Sequence, residues 1–350
     1  MRWTLVSTLL ATACTTLPSA DPGGTGPGET ESGNGADGDA AGGGTTTALS
    51  DVRCTGTPDA GPRRSFRHTT SKIISALGHP QHRGFDLVAA ASAAAQSIEG
   101  WISYTIADKA LEDEDVDVFA CFAAGWSKLG TARTDDEGHF ALALADANRL
   151  PVAMRDLYVS VVGDRTGTAF LAYVAPDGTP LLVSDIDGTL TSSENAFTES
   201  LVTGTPPDPQ PGAAAAFSDA VARGYQLVYV TARGSQYTAA TRTWLAANNF
   251  PRGPLRLSPS FITLPGSDTI EYKTSTIEAI QTGFTVLAGI GNRASDVTAY
   301  GNVGLDGAAT FVKLPEYQSE VQAALDAGTA TGFDAYDDLR TGYIDGLPAR

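Results

Sequence analysis

The spacing of apolar residues along the chain changes character three times. Residues 3–13 are a short apolar run behind Arg2, the layout of an export signal rather than of a folded element. Residues 15–62 are rich in Gly, Thr, Ser and Pro and nearly empty of large apolar groups. Such a stretch buries too little surface to offset its ordering entropy, which predicts a disordered linker. Short β-branched or aromatic runs then appear at 99–106, 115–122, 139–144, 157–162 and 168–174, several alternating apolar with polar. Turn sequences at 134–138 and 176–178 separate them, so 63–178 reads as a β-sandwich. Within it, residues 87–96 read either as a helix or as an entering strand. From 179 to 350 the pattern becomes strand then helix, repeated. Residues 181–185 form a continuous apolar run, as expected of a strand buried on both faces of a parallel sheet. Strands follow at 226–230, 255–257 and 284–288, with helices at 212–223, 236–248, 274–281 and 315–325. This alternation predicts a doubly wound α/β domain with a mostly parallel sheet, its site at the carboxyl ends of the strands.

Composition narrows the function. Forty acidic residues against 23 Lys and Arg give a formal charge of −17. That balance excludes a general nucleic-acid binder and a polybasic patch for anionic membranes. Three cysteines and four histidines are too few for a structural zinc site. No apolar run approaches the ~20 residues that span a bilayer. Cys14 follows Leu10-Ala-Thr-Ala13, which resembles the cleavage box of bacterial lipoproteins. On that reading residues 1–14 are a lipoprotein signal, Cys14 carries a lipid, and the folded part is held at a membrane of the cell envelope. Secretion with Cys14 removed is the alternative. Linker residues after Cys14 would then act as a tether reaching roughly 30–36 Å. Cys54 and Cys121 would sit in an oxidising space, either bridged or as two separate thiols. The acidic cluster 112–115 lacks the alternating spacing of a calcium loop and reads as a solvated turn. His68, His79, His82 and His139 share no spacing with acids or cysteines.

Candidate chemistry lies where the strands of the second domain should end. The first ends in Asp185-Ile-Asp187-Gly188-Thr189, the second in Thr231-Ala-Arg233. Lys273 stands before the next expected helix, and Gly291-Asn292-Arg293-Ala-Ser-Asp296 follows the fourth strand. Two carboxylates two residues apart, where a strand gives way to Gly, can face one pocket. One can attack phosphorus while its neighbour donates a proton to the leaving oxygen. A magnesium ion would offset the repulsion between these anions and a phosphate. The Thr231 hydroxyl and Lys273 ammonium suit the remaining phosphate oxygens. Arg233 is either a second phosphate contact or one half of an ordinary ion pair. Arg293 reads as an organiser of the 292–296 loop.

These four motifs, in this order, resemble the haloacid dehalogenase-like phosphatase superfamily. The resemblance implies that Asp185 is the nucleophile and Asp187 the general acid/base. It further implies that Asp185, the backbone of Asp187, Asn292 and Asp296 hold Mg2+, and that Gly188, Thr231 and Lys273 surround the phosphate. Residues 181–313 look more narrowly like the C-terminal catalytic domain of lipins, the magnesium-dependent phosphatidate phosphatases. Phosphatidylinositol-transfer proteins carry a related domain that has lost the catalytic carboxylate and only binds lipid, whereas this chain keeps Asp187. The Trp126–Phe140 region is similar to transthyretin-like sandwiches. Only 43 residues separate Asp187 from Thr231 and 41 separate Thr231 from Lys273, which leaves no room for a large cap domain. An open site would admit a bulky phosphomonoester such as a phospholipid, with residues 192–210 as a short flap. The alternatives are a non-lipid phosphoester as substrate and a lipid-binding module without turnover.

Overall fold

The computed structural model describes residues 49–350 apart from 261, 262 and 265. The expected signal, Cys14 and the linker up to residue 48 lie outside the described residues. The remainder of the expected linker, 49–62, is corrected: it is laid against the sandwich. Strand β1 (Asp51–Val52) pairs in parallel with Met154 and Arg155, and Cys54 is bridged to Cys121. The bridge spans 67 residues, a loop whose closure is worth about 4 kcal/mol in the chain-entropy model.

Ten further strands build the first domain: β2 (Arg83–Phe85), β3 (Leu87–Ala90), β4 (Ala95–Trp101), β5 (Ser103–Tyr104), β6 (Lys109–Ala110), β7 (Asp115–Phe122), β8 (Gly125–Arg133), β9 (His139–Ala145), β10 (Ala153–Val161) and β11 (Gly167–Ala175). One helix, α1 (Thr69–Ala76), precedes them. The larger sheet runs β3-β11-β10-β7-β8 and the smaller β2-β4-β9. Between them lie Ile98, Val116, Val118, Phe140, Leu157, Val159 and Phe170, all buried. Within 87–96, residues 87–90 form β3 rather than a helix, because Leu87 and Ala89 face this core while β3 pairs with β11, and 95–96 open β4.

The second domain alternates as expected. Its strands are β12 (Pro180–Ser184), β13 (Gln226–Gly234), β14 (Leu255–Ser258), β15 (Thr285–Gly291), β16 (Thr310–Lys313) and β17 (Thr331–Phe333). Its helices are α2 (Ala196–Thr203), α3 (Ala213–Ala222), α4 (Thr238–Ala247), α5 (Ser267–Gln281), α6 (Ala294–Asn302), α7 (Gln318–Asp326) and α8 (Tyr336–Gly342). All six strands are parallel, in the order β14-β13-β12-β15-β16-β17. The chain reverses its winding at β12, the switch point where an α/β sheet opens a crevice. Alternate residues of β12 serve two cores. Leu182 packs with Phe217, Trp244 and Tyr336, whereas Leu181 and Val183 pack with Ile277, Ile280 and Tyr300. The second core also takes in Met154, Leu171, Tyr173 and Ala175 of the sandwich, so the two domains share apolar interior.

Asp86 makes the polar part of that junction. Fully buried between β2 and β3, its carboxylate accepts from the Leu171 amide (2.8 Å), the Leu255 amide (2.7 Å) and both ways from Arg242 (2.8 and 2.7 Å). Among the described residues no helix is long and apolar enough to cross a membrane.

Candidate active site

Asp185, Asp187, Gly188, Thr231, Arg233, Lys273, Asn292 and Asp296 come together around the carboxyl ends of the parallel sheet. Asp185 leaves β12 buried, its own amide bonded to the Ile290 carbonyl at 2.9 Å. Its Oδ2 lies 3.0 Å from Lys273 Nζ, while Oδ1 is buried with no hydrogen-bond partner. Burial pushes the Asp185 carboxyl well above its ordinary range, opposed by Lys273 and reinforced by Asp296, Glu194 and Asp187. Burial acts to lower the Lys273 ammonium, but Asp185 and Asp296 outweigh it, so the lysine is held charged.

Lys273 lies in the middle of α5, not ahead of it. The helix starts at Ser267, and Thr269, Lys273, Thr276, Ile277 and Ile280 share its buried face. The Ser- and Thr-rich first turns hide that helix from a hydrophobic pattern. Asp296 is fully buried and has both oxygens engaged: Oδ1 accepts from Lys273 at 2.5 Å, Oδ2 from the amides of Asn292 (3.1 Å) and Arg293 (3.0 Å). It anchors the loop at the start of α6. Gly291 is obligatory beside it, because a Cβ there would collide with the Asp296 carboxylate.

Asp187 faces a different set. Arg233 grips it with two nitrogens, 2.5 Å to Oδ1 and 3.2 Å to Oδ2, and the Thr231 hydroxyl is 3.2 Å from Oδ2. Of the two roles open to Arg233, the structure displays the ion pair. Its guanidinium also donates to Thr241 Oγ1 at 2.8 Å and lies 3.6 Å from the Phe197 ring centre. Phe197 belongs to α2, so the 192–210 segment folds over this end of the site with a helix of its own. Gly188 adopts φ of 66°, and a Cβ there would collide with the Asn292 amide. A left-handed turn and a close approach thus both require glycine.

Glu194 was not legible in advance; an acid seven residues beyond Asp187, in a Ser-rich loop, was the only signal. It accepts from Asn292 Nδ2 at 2.9 Å and lies 3.4 Å from Arg293. Burial raises its carboxyl, with Asn292 opposing. Arg293 meets Glu320 at 3.0 Å and stacks on Tyr317, the structural role expected of it.

The donor set fits Mg2+. Asp185 Oδ1 is a buried anionic oxygen without a hydrogen-bond partner among the described residues, and Asn292 presents a carbonyl oxygen that accepts from the Thr189 hydroxyl at 3.2 Å. Among the described residues no three acidic, His or Cys side chains form a ready cage. Mg2+ does not need one, because it keeps waters and uses one or two carboxylates plus substrate phosphate.

The Asp-x-Asp-Gly-Thr turn, with Thr231 and a buried Lys273, stands at the switch point of a parallel α/β domain joined to a β-sandwich. Comparison with known proteins narrows this. Residues 182–313 match the family model described as the LNS2 domain of PITM 1-3, and residues 80–174 match its β-sandwich domain. The chain is 24% identical over 271 residues to the mouse membrane-associated phosphatidylinositol transfer protein 3, covering 75% of this chain and 27% of that protein. It is 28% identical over 195 residues to the protein retinal degeneration B of Drosophila melanogaster, covering 55% and 15%. It therefore spans less than a third of the length of these relatives. Distant likenesses among solved structures include a putative beta-phosphoglucomutase from Thermotoga maritima, with a TM-score of 0.36, 12% identity, and 48% and 100% of the two chains covered. Another is the class C acid phosphatase from Bacillus anthracis, with a TM-score of 0.30, 17% identity, and 49% and 81% covered.

Proposed function

We propose that this chain is a Mg2+-dependent phosphomonoesterase acting on phosphatidate or a related phospholipid through an aspartyl-phosphate. The observation that carries the reading is Asp185: buried at the switch point, one oxygen tied to Lys273, the other without a partner. The Asp185 carboxylate attacks phosphorus as the ester P–O bond breaks, and Asp187 gives its proton to the departing alkoxide. Asp187 then takes a proton from the water that hydrolyses the acyl phosphate, releasing inorganic phosphate and restoring Asp185. Thr231 and Lys273 hold the equatorial oxygens. Asp185, the Asp187 backbone and Asn292 would hold Mg2+, which supplies positive charge against the phosphate; Asp296 supports from behind.

Support for a lipid substrate comes from the absence of a large cap and from relatives named as phosphatidylinositol transfer proteins. The acidic chain opposes an anionic bilayer, so the reading places the protein on the envelope membrane through Cys14, with the tether supplying proximity. A second reading, a lipid-binding module without turnover, is favoured by one contact: the Arg233 grip on both oxygens of Asp187. The acid must leave Arg233 to reach a leaving group. Phosphate release from phosphatidate vesicles and from water-soluble monoesters, with Mg2+ or with chelator, tests both. Release that needs Mg2+ and Asp185 supports the enzyme; vesicle binding without release supports the module. Activity surviving Asp185→Asn overturns the nucleophile.

A further inference from the structure

We propose that Glu194 is a positioning residue that fixes the side-chain amide of Asn292 so that its carbonyl oxygen faces the cation site. The inference rests on the Mg2+ reading above and assigns a role to a residue outside the four motifs. Asn292 is fully buried, so solvent cannot decide which way its amide points. Its two ends meet groups of opposite capability. Glu194 Oε2, an acceptor only, lies 2.9 Å from Nδ2; the Thr189 hydroxyl, able to donate, lies 3.2 Å from Oδ1. Reversing the amide would set a carbonyl against a carboxylate. The Gly188 backbone closes against the same amide, with no space for a Cβ between them.

Glu194 is itself held from two sides. Its backbone amide donates to the Glu316 carboxylate at 3.1 and 3.2 Å, and its side chain faces Arg293 at 3.4 Å. It thus links the 192–210 segment to the loop carrying Asn292. Without the Glu194 acceptor, the amide is free to turn its NH2 toward the cation, replacing an oxygen ligand with a donor that repels the metal. Groups that orient metal ligands in this way typically contribute roughly 10–100-fold in affinity.

Three variants separate hydrogen bonding from charge. Glu194→Gln keeps an acceptor at the same reach but loses the charge. Glu194→Asp keeps the charge but falls one methylene short, and Glu194→Ala loses both. Mg2+ is titrated calorimetrically into the full chain and each variant, with the melting temperature in chelator confirming that each is folded. Binding by Glu194→Gln is expected close to wild type, with Glu194→Asp and Glu194→Ala weaker by roughly 10–100-fold. Unchanged affinity in Glu194→Ala overturns the positioning role alone. So does a Gln variant as weak as Ala beside an intact Asp variant, because charge would then be the cause. If the wild-type chain binds no Mg2+, the proposed function falls and this inference with it. Should the Ala variant fail to fold, the Gln and Asp pair decides.

Discussion

Protonation of His82 is expected to unlock the junction beside the site as pH falls. The ring sits edge-on to Tyr104 with centroids 4.9 Å apart, and Nε2 meets Thr166 Oγ1 at 2.8 Å. Thr166 and Tyr104 both bond Asp164, forming a polar knot at the end of β11. His82 also lines a cavity of about 160 Å³ between the sandwich and Ser235–Gln236, two residues past Arg233. Burial lowers the imidazole from 6.5 to about 4; Asp164 and the Ser103 carbonyl pull the other way, and Arg83 adds to the lowering. A folded value below the unfolded one means stability that is complete above pH ~6.5 and lost as pH falls toward 4. At 1.36 kcal/mol per pH unit, that difference is worth about 3 kcal/mol, of which about 2 kcal/mol is gone by pH 5. Urea unfolding of wild type and His82→Gln from pH 7.5 to 4.5 isolates the group, because every other titration is common to both proteins. The stability gap between them is expected to narrow by about 2 kcal/mol between pH 7.5 and 5. A gap that stays constant over this range would refute the assignment of His82 as a buried neutral ring.

Three further outcomes follow from other contacts. Asp86→Ala strands Arg242 and two amides in the domain junction and is expected to cost about 3–5 kcal/mol in chemical denaturation; a loss below 1 kcal/mol would contradict the shared interior. Gly188→Ala must accept a left-handed residue, at about 1–2 kcal/mol, and displace Asn292. Phosphate release should therefore nearly vanish while the protein still melts cooperatively, and an active Gly188→Ala would show that the turn tolerates a Cβ. Reducing the Cys54–Cys121 bridge, or replacing it by Cys121→Ser, is expected to lower unfolding free energy by about 4 kcal/mol, read from the denaturation midpoint with and without reductant.

Burial decided which parts of this fold were legible in the sequence. Strand β12 is flanked by core on both faces, so its apolar run was plain; β8 lies at a sheet edge with only Ala132 buried and left no run to read. Helix α2 carries both buried Phe197 and exposed Leu201 and Val202, so residues 192–210 read as a loop. Asp185, Asp187 and Asn292 follow strands β12 and β15, where local spacing put them, whereas Lys273 lies inside α5 rather than ahead of it. Asp86 was invisible for the opposite reason: its partners, Leu171, Arg242 and Leu255, are 85 to 169 residues away. The pairing of Arg233 with Asp187, left open by the sequence, depends on the irregular last residues of β13, where the register shifts between Thr231 and Gly234.

The charge inventory of the site explains why its two acids behave differently. Asp187 is part exposed and has a guanidinium to itself, whereas Asp185 is sealed and shares Lys273 with Asp296. One ammonium between two buried carboxylates leaves a net negative charge, and Glu194 adds another nearby. Hence Asp185 is pushed toward protonation despite its lysine, and a protonated carboxyl is no nucleophile. A divalent cation held beside this carboxylate would supply the missing positive charge and favour its ionised, nucleophilic form near neutral pH. The chain's own cations do not suffice for this: Arg233 is committed to Asp187, and Arg293 to Glu320 and Glu194. On the proposed reading, dependence on Mg2+ would follow from how few uncommitted positive groups the fold places around Asp185.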